Sequence, residues 1–453
     1  MKKNQVGFIC FGEINTPFER LALKHDEAFK ALSEKVDGLV DAGVVIDDPA
    51  YEYAKNALAK LEGKECSCLV VCVAGWVPTH AVTYVIDRYR HLPMILWGLA
   101  GWYENGRLIT TADQAGTTAI RPAMEAMHYT FKYVYSIVGK PLPVEKVASY
   151  IAAANAKANL RTARIGSMGY RDMLLYGTQF EGNSMRGQFG VEVEPFEMLE
   201  MVQNLETLDE NAVKEGVEFV KTNWVFKKEC DDSVIKKGVR YALAIVKKIN
   251  ERGFEAITLI DVDGMKKLEG FPPAMVFMLL EHYTNILTIP ENDVMGAFTQ
   301  LIMKYLTGQT VPYLEYYEFF ENSMLIGVPD FVPKAATKGD VTVLPAAFCL
   351  LNASLLNVSK VKDGYVTCAR MFFKDGKYYM HVYTGTAKQP PAWNEFGWDD
   401  PAPQLPSLEV FPDSCTVPEF AEHVSCQHVI VAYGNFMEEI KDFCKMADVE
   451  LIY

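Results

Sequence analysis

The feature that most limits how this chain folds is the regular alternation, over its first third, of short apolar runs with helix-spaced segments. Apolar runs at 5–11, 43–46, 68–73 and 93–96 are separated by helical patterns over 18–35, 51–61 and 79–90. Parallel strands must be joined by long crossovers, so the order βαβαβαβ predicts a parallel, doubly wound sheet with helices on both faces. A second α/β unit is expected from Arg164, where Ile165-Gly166-Ser167 opens a strand and an irregular Gly-rich segment runs from Gly166 to Gly190. Helical patterns over 212–223, 231–251, 273–285 and 292–306, with a strand at 256–260, continue it. Beyond Lys338 helical periodicity disappears and strands dominate, at 341–344, 366–373, 377–384, 408–411 and 428–433, before a closing helix over 436–446. Asp363-Gly364 and Asp375-Gly376 read as hairpin turns, because Asp-Gly accepts the positive φ that tight turns need.

At 453 residues the chain exceeds the size at which one hydrophobic core stops growing. The expected architecture is α/β, with two doubly wound Rossmann-like α/β domains over 1–163 and 164–337, and a mostly β, barrel-like domain over 338–453. The 44 basic and 58 acidic residues leave a net charge of −14, with no Lys/Arg block to neutralise a phosphate backbone, so a nucleic-acid role is not expected. The amino-terminal apolar stretch is broken by Gly12 and Glu13 and reads as a first strand rather than a signal peptide. Runs 68–77 and 94–102 fall short of the roughly 20 residues that cross a bilayer. Ten cysteines without a CxxC pair point to reduced thiols in a cytoplasmic protein. The absence of GxGxxG after the first strand, of a GxxxxGK[ST] loop, of GxSxG and of HExxH argues against nucleotide-dependent or zincin-type chemistry.

Glu291 lies in Thr288-Ile289-Pro290-Glu291-Asn292-Asp293, directly before an apolar helical run, where an acid either complements the helix dipole or serves a site. After Gly308 the run TVPYLEYY places Glu315 at a strand end, so helix and strand can return two carboxylates to one rim of an α/β sheet, where ligands bind. His428 is a lone histidine on an apolar strand, open to either a core or a ligand reading. Weaker sugar-contact candidates are Asp261 and Asp263, which otherwise form a turn before Gly264, and Trp76, Trp97 and Trp102, which otherwise pack a core. Trp393 and Trp398 sit in the Pro-rich stretch 389–406 and either cover a pocket or anchor that loop, while Arg20 and His91 are polar contacts to weigh from the first domain.

Glu291-Asn292-Asp293-Val294 through Tyr305, then Gly308 and Tyr313-Leu314-Glu315-Tyr316, resembles the L-fucose and L-arabinose isomerases. His428 ahead of Tyr433-Gly434-Asn435 looks like the family's third metal ligand. Ile165-Gly166-Ser167 with Gly187-Gln188-Phe189-Gly190-Val191-Glu192-Val193 is similar to the opening of its second domain. The likeness covers about 164–435 and implies a metal-dependent aldose–ketose isomerase, an intramolecular oxidoreductase of carbohydrate metabolism acting on a monosaccharide through an enediolate. It further implies that Glu291, Glu315 and His428 hold Mn²⁺ or another divalent cation such as Co²⁺, Mg²⁺ or Zn²⁺, with the two glutamates moving the proton between C1 and C2. A homotrimer or homohexamer with the active site near a subunit interface is implied too.

Two departures stand out. Where many fucose-type members carry His-Cys-Gly, this chain has Ile326-Gly327-Val328-Pro329-Asp330, and Glu315 follows the arabinose-type choice rather than an aspartate. The missing His-Cys-Gly segment keeps open a non-catalytic sugar-binding relative, and the same enediolate chemistry keeps open an epimerase or lyase on an unusual acidic, sulfonated or deoxy sugar.

Overall fold

Cys66–Val73 is a nearly unbroken apolar run, and a strand of that composition needs cover on both faces. In the computed structural model, which describes residues 4–286, 288–328, 331–345, 354–394 and 404–453, it receives that cover. The chain divides into two compact units, Met1–Asn159 with Glu438–Met446, and Leu160–Met437 with Ala447–Tyr453.

The first unit runs β1 (Gln5–Gly12), α1 (Phe18–Ser33), β2 (Leu39–Ile46), α2 (Glu52–Leu61), β3 (Cys66–Val73), α3 (Thr79–Ile86) and β4 (Met94–Gly98). A hairpin, β5 (Trp102–Glu104) and β6 (Arg107–Ile109), precedes α4 (Asp113–Ala126), β7 (Phe131–Tyr135) and α5 (Val144–Leu160). The sheet order is β2-β1-β3-β4-β7, all parallel. Alternation decides the two cores: Ile9, Phe11, Leu69, Val71 and Val73 pack with Leu58, Val82 and Ile120 from α2, α3 and α4. Phe8 points the other way and meets His25 and Phe29 of α1 edge-on, at 5.5 and 5.3 Å between ring centres.

The second unit opens with β8 (Arg164–Met168), α6 (Gly182–Phe189), β9 (Glu192–Phe196), α7 (Met198–Asn204), α8 (Glu210–Asn223), β10 (Val225–Phe226), α9 (Asp232–Arg252) and β11 (Ala256–Leu259). α10 (Ala274–Thr284), β12 (Thr288–Ile289) and α11 (Val294–Thr307) follow. The parallel order β12-β11-β8-β9 puts β8 between the next two long-range neighbours, so the winding reverses at β8. α11 is apolar on nearly every side because it lies between this sheet and the strands described next; Gly308, at φ +68°, ends it in the left-handed conformation that costs glycine least.

The remaining strands are β13 (Tyr313–Phe319), β14 (Met324–Gly327), β15 (Thr337–Lys338), β16 (Thr342–Pro345), β17 (Leu355–Asn357), β18 (Lys360–Val361), β19 (Gly364–Lys374), β20 (Lys377–Lys388) and β21 (Ser407–Pro412). α12 (Val417–Ala421), β22 (His428–Tyr433) and β23 (Glu450–Ile452) complete the unit. Strands β19-β22-β13-β14-β21-β20 pair antiparallel in that order, and β20 pairs back to β19, which closes a six-stranded barrel. Closure leaves no unpaired edge among these six. The fold is therefore α/β with parallel sheets and a carboxy-terminal β-barrel.

Several expectations change. β13 and β14 precede the expected boundary at 337/338 and yet form part of the barrel wall. Asp375 and Gly376, at φ +51° and +79°, do turn the β19–β20 hairpin, whereas Asp363-Gly364 does not join a hairpin, since β18 pairs with β15. Trp398, Pro329 and Asp330 lie outside the described residues. Among the described residues no helix is long and apolar enough to cross a membrane, and the cysteines are free thiols.

Candidate metal centre

Asp261 and Glu291 each stand two residues beyond the carboxyl end of a strand, β11 and β12, which are neighbours in the parallel sheet. Both acids therefore reach the same sheet edge, where such folds bind ligands. Glu291 and Asn292 adopt left-handed backbone conformations, φ +61° and +49°. Residues other than glycine occupy that region at a cost of roughly 1 kcal/mol or more each, so something must hold them there. The Asp261 carboxylate accepts the Glu291 N–H, the Leu259 carbonyl accepts the Asn292 N–H at 2.8 Å, and the Asn292 side chain bridges Ser167 Oγ and the Tyr170 carbonyl, both at 2.8 Å. The expected helix start at 292 is corrected accordingly: α11 begins at Val294, Asp293 caps it by accepting the Gly296 N–H at 2.8 Å, and Glu291 is released from any helix-end role.

Glu315 is likewise not at a strand end but is the third residue of β13, where it lies directly opposite His428 on β22. Cross-strand partners share a face, which brings both side chains toward Glu291. His428 Nε2 lies 3.5 Å from Glu291 Oε2 and 3.7 Å from Glu315 Oε1. Ligating atoms of these three residues all fall within 4.8 Å of one another. His428 is fully buried, and the two glutamate side chains are 14% and 17% exposed, so the cluster opens to solvent only on the carboxylate side.

The imidazole is fixed from behind. His428 Nδ1 donates to Asp293 Oδ2 at 2.7 Å, which leaves Nε2 aimed at the glutamates. Arg370 grips Asp293 with both terminal nitrogens, at 2.6 and 3.0 Å. Burial, which alone would raise the Asp293 pKa, is outweighed by Arg370 and His428, and the carboxyl sits well below the usual range. Burial also opposes charge on His428, but Asp293, Glu315 and Glu291 outweigh it and hold the imidazole protonated well above its ordinary range. On the other flank, Gln427 Nε2 donates to Glu291 Oε2 at 2.6 Å, and the Cys426 thiol donates to Gln427 Oε1 at 3.2 Å.

A divalent cation fits this cluster on two grounds. Glu315 Oε1 and His428 Nε2 are buried atoms without a hydrogen-bond partner, an arrangement that costs about 1–3 kcal/mol per group unless a ligand satisfies it. Two carboxylates and one imidazole also form a mixed O/N donor set suited to Mn²⁺, Co²⁺, Mg²⁺ or Zn²⁺. Cation uptake requires His428 to give up its Nε2 proton. A second grouping, Asp293, Cys426 and His428, shares the histidine but is a poorer site, because Arg370, His428 and Gly296 already occupy both Asp293 oxygens.

Of the weaker candidates, Asp261 stands at the site as the support of Glu291, and Asp263 is tied to Lys267 at 2.6 Å. Trp393 donates its indole N–H to Ser407 Oγ at 3.0 Å and meets the ring of Tyr317 at 5.4 Å; Tyr317 shares a face of β13 with Glu315. Trp97 is core, fully buried with its N–H on Ser136 at 3.0 Å, so it presents no surface to a sugar. Trp76 is 37% exposed, while Trp102 lies under Arg20 and Lys24 at 5.2 and 5.6 Å. Opposite Glu315 on its other side stands Gly327, at the segment that departs from the His-Cys-Gly pattern. Sequence reasoning missed Asp293, Arg370 and Gln427. An arginine alone in the apolar run Val366–Phe373 was the available signal, since a buried arginine requires an acid. No model of a known protein family matches the chain, and no curated protein matches it.

Proposed function

We propose that this chain is a divalent-metal-dependent aldose–ketose isomerase of the L-fucose/L-arabinose type. The observation that carries the reading is the convergence of Glu291, Glu315 and His428, two of them presenting buried unsatisfied atoms to a common space. Under this reading Glu291, Glu315 and His428 hold Mn²⁺ or a related ion. Such an ion would supply Lewis-acid polarisation of the sugar's carbonyl.

The chain's own groups do the rest. Isomerisation moves one proton between C1 and C2, and the weakly acidic C–H demands a base held beside the carbon. Gln427 orients the Glu291 carboxylate through its Oε2, and Glu291 takes or returns the proton with Glu315 as the second member of the pair. Asp293 and Arg370 hold His428 in a single orientation, so the cluster need not reorganise during turnover. Two doubly wound domains, a trimer or hexamer with the site near a subunit interface, and a cytoplasmic location belong to the same proposal. The test is bound-metal analysis after Mn²⁺ loading, together with deuterium incorporation at C2 across an aldose panel in heavy water. About one metal per chain and exchange with at least one sugar are expected; a metal-free protein that exchanges no sugar would refute the reading.

A further inference from the structure

Beside the cluster lies a cleft of about 420 Å³ whose walls include Ser167, Tyr170, Arg171, Gln179, Phe180 and Asn292. That volume is near the lower end of the roughly 300–1,000 Å³ typical of small-molecule sites, enough for one sugar ring with a substituent. Lining residues adjoin the metal cluster and its supports along the chain. Asn292 follows Glu291, and Thr178 and Gln179 follow Gly177, whose carbonyl accepts Arg370 Nη2 at 2.9 Å. Tyr170 and Phe180, 60% and 38% exposed, offer the aromatic surfaces on which sugar rings stack.

Among the described residues of the lining, Arg171 alone is charged. Its guanidinium lies over the Tyr176 ring at 4.5 Å, and among the described residues no carboxylate pairs with it. Its backbone is anchored: the next residue, Asp172, is buried and accepts the N–H groups of Val262 and Asp263, each at 2.8 Å. Those residues belong to the turn that begins with Asp261, the support of Glu291. The cation is thus built into the same sheet edge as Glu291, and among the described residues no hydrogen bond takes its forked donors.

We infer that this cleft takes the end of the substrate remote from C1 and C2, and that this end carries an anionic group, phosphate, sulfonate or carboxylate, gripped by Arg171. Arginine's planar fork matches all three bidentately, whereas a neutral hydroxyl would leave the charge uncompensated. The assignment of the reacting end rests on the isomerase reading; the anion site does not.

The experiment measures, by ligand-observed NMR on Mn²⁺-loaded protein, the affinity of aldohexoses bearing hydroxyl, phosphate, sulfonate or carboxylate at C6. Wild type, Arg171→Gln and Arg171→Lys are compared. At least one anionic sugar is expected to bind ~10–100-fold more tightly than its neutral parent, as charge-assisted hydrogen bonds allow. Arg171→Gln should erase that preference and Arg171→Lys keep part of it, with metal stoichiometry unchanged in both. The inference is overturned if no anionic sugar surpasses its neutral parent, or if the preference survives in Arg171→Gln. Deuterium exchange separates the two readings: an anion preference without exchange at C2 sinks the isomerase alone, and exchange at C2 with equal affinity for neutral and anionic sugars sinks the anion site alone.

Discussion

Glu315 and His428 stand directly opposite one another on adjacent antiparallel strands, β13 and β22, with Oε1 and Nε2 3.7 Å apart and neither atom hydrogen-bonded. The ladder fixes this pair, because cross-strand neighbours cannot separate without breaking backbone bonds on both sides. Glu291 joins them from the edge of the parallel sheet. The site is therefore a junction between a barrel wall and a sheet edge, with α11 packed between them.

Glu315→Gln keeps shape and hydrogen-bonding capacity but removes a ligand charge. Mn²⁺ affinity should fall by more than the ~10–100-fold usual for losing a support of a ligand, and turnover should fall with it. Isothermal titration with Mn²⁺ checks this; an unchanged affinity would remove Glu315 from the metal set.

Gln427→Met preserves length and takes away the donor to Glu291 Oε2. Its expected effect is a ~10–100-fold loss in Mn²⁺ affinity with little change in unfolding midpoint. A large stability loss with intact metal binding would instead make Gln427 a packing residue.

Arg370→Met leaves the Asp293 carboxylate buried without its guanidinium partner; the pair is 4% and 0% exposed. Removing one member of such a pair typically costs about 3–5 kcal/mol. Urea unfolding at neutral pH should show a loss of that order, and a change under about 1 kcal/mol would mean that water or another group reaches Asp293.

His381 stacks on Phe420 at 4.9 Å between ring centres, and burial, with a smaller contribution from His423, pushes its pKa down to about 4. An unfolded histidine titrates near 6.5, so between roughly 6.5 and 4 the unfolded chain binds a proton that the native chain does not. Stability from this residue is present above that window and lost as pH falls through it, by about 1.4 kcal/mol per pH unit. Comparing urea midpoints of wild type and His381→Phe at pH 7, 5.5 and 4 isolates the effect, which should appear as a shallower acid slope in the variant. Parallel slopes would show that the ring accepts a proton in the folded state.

The amino-acid sequence by itself determined the alternating α/β pattern, the parallel first sheet and the Asp375-Gly376 hairpin, because each leaves a local trace in periodicity or turn chemistry; Glu291, Glu315 and His428 were named together only through a resemblance, since each also had an ordinary structural reading. Tertiary structure alone decided the closure of the barrel through β13 and β14, the pairing of Glu315 with His428, and the bracing of the site by Asp293, Arg370 and Gln427. Strand pairing over more than a hundred residues carries no local signal, since an apolar strand looks the same whichever neighbour it takes. The same holds for charge. Asp293 reads as a helix cap and Arg370 as an oddity in a strand, until folding buries both and leaves each as the other's counter-ion.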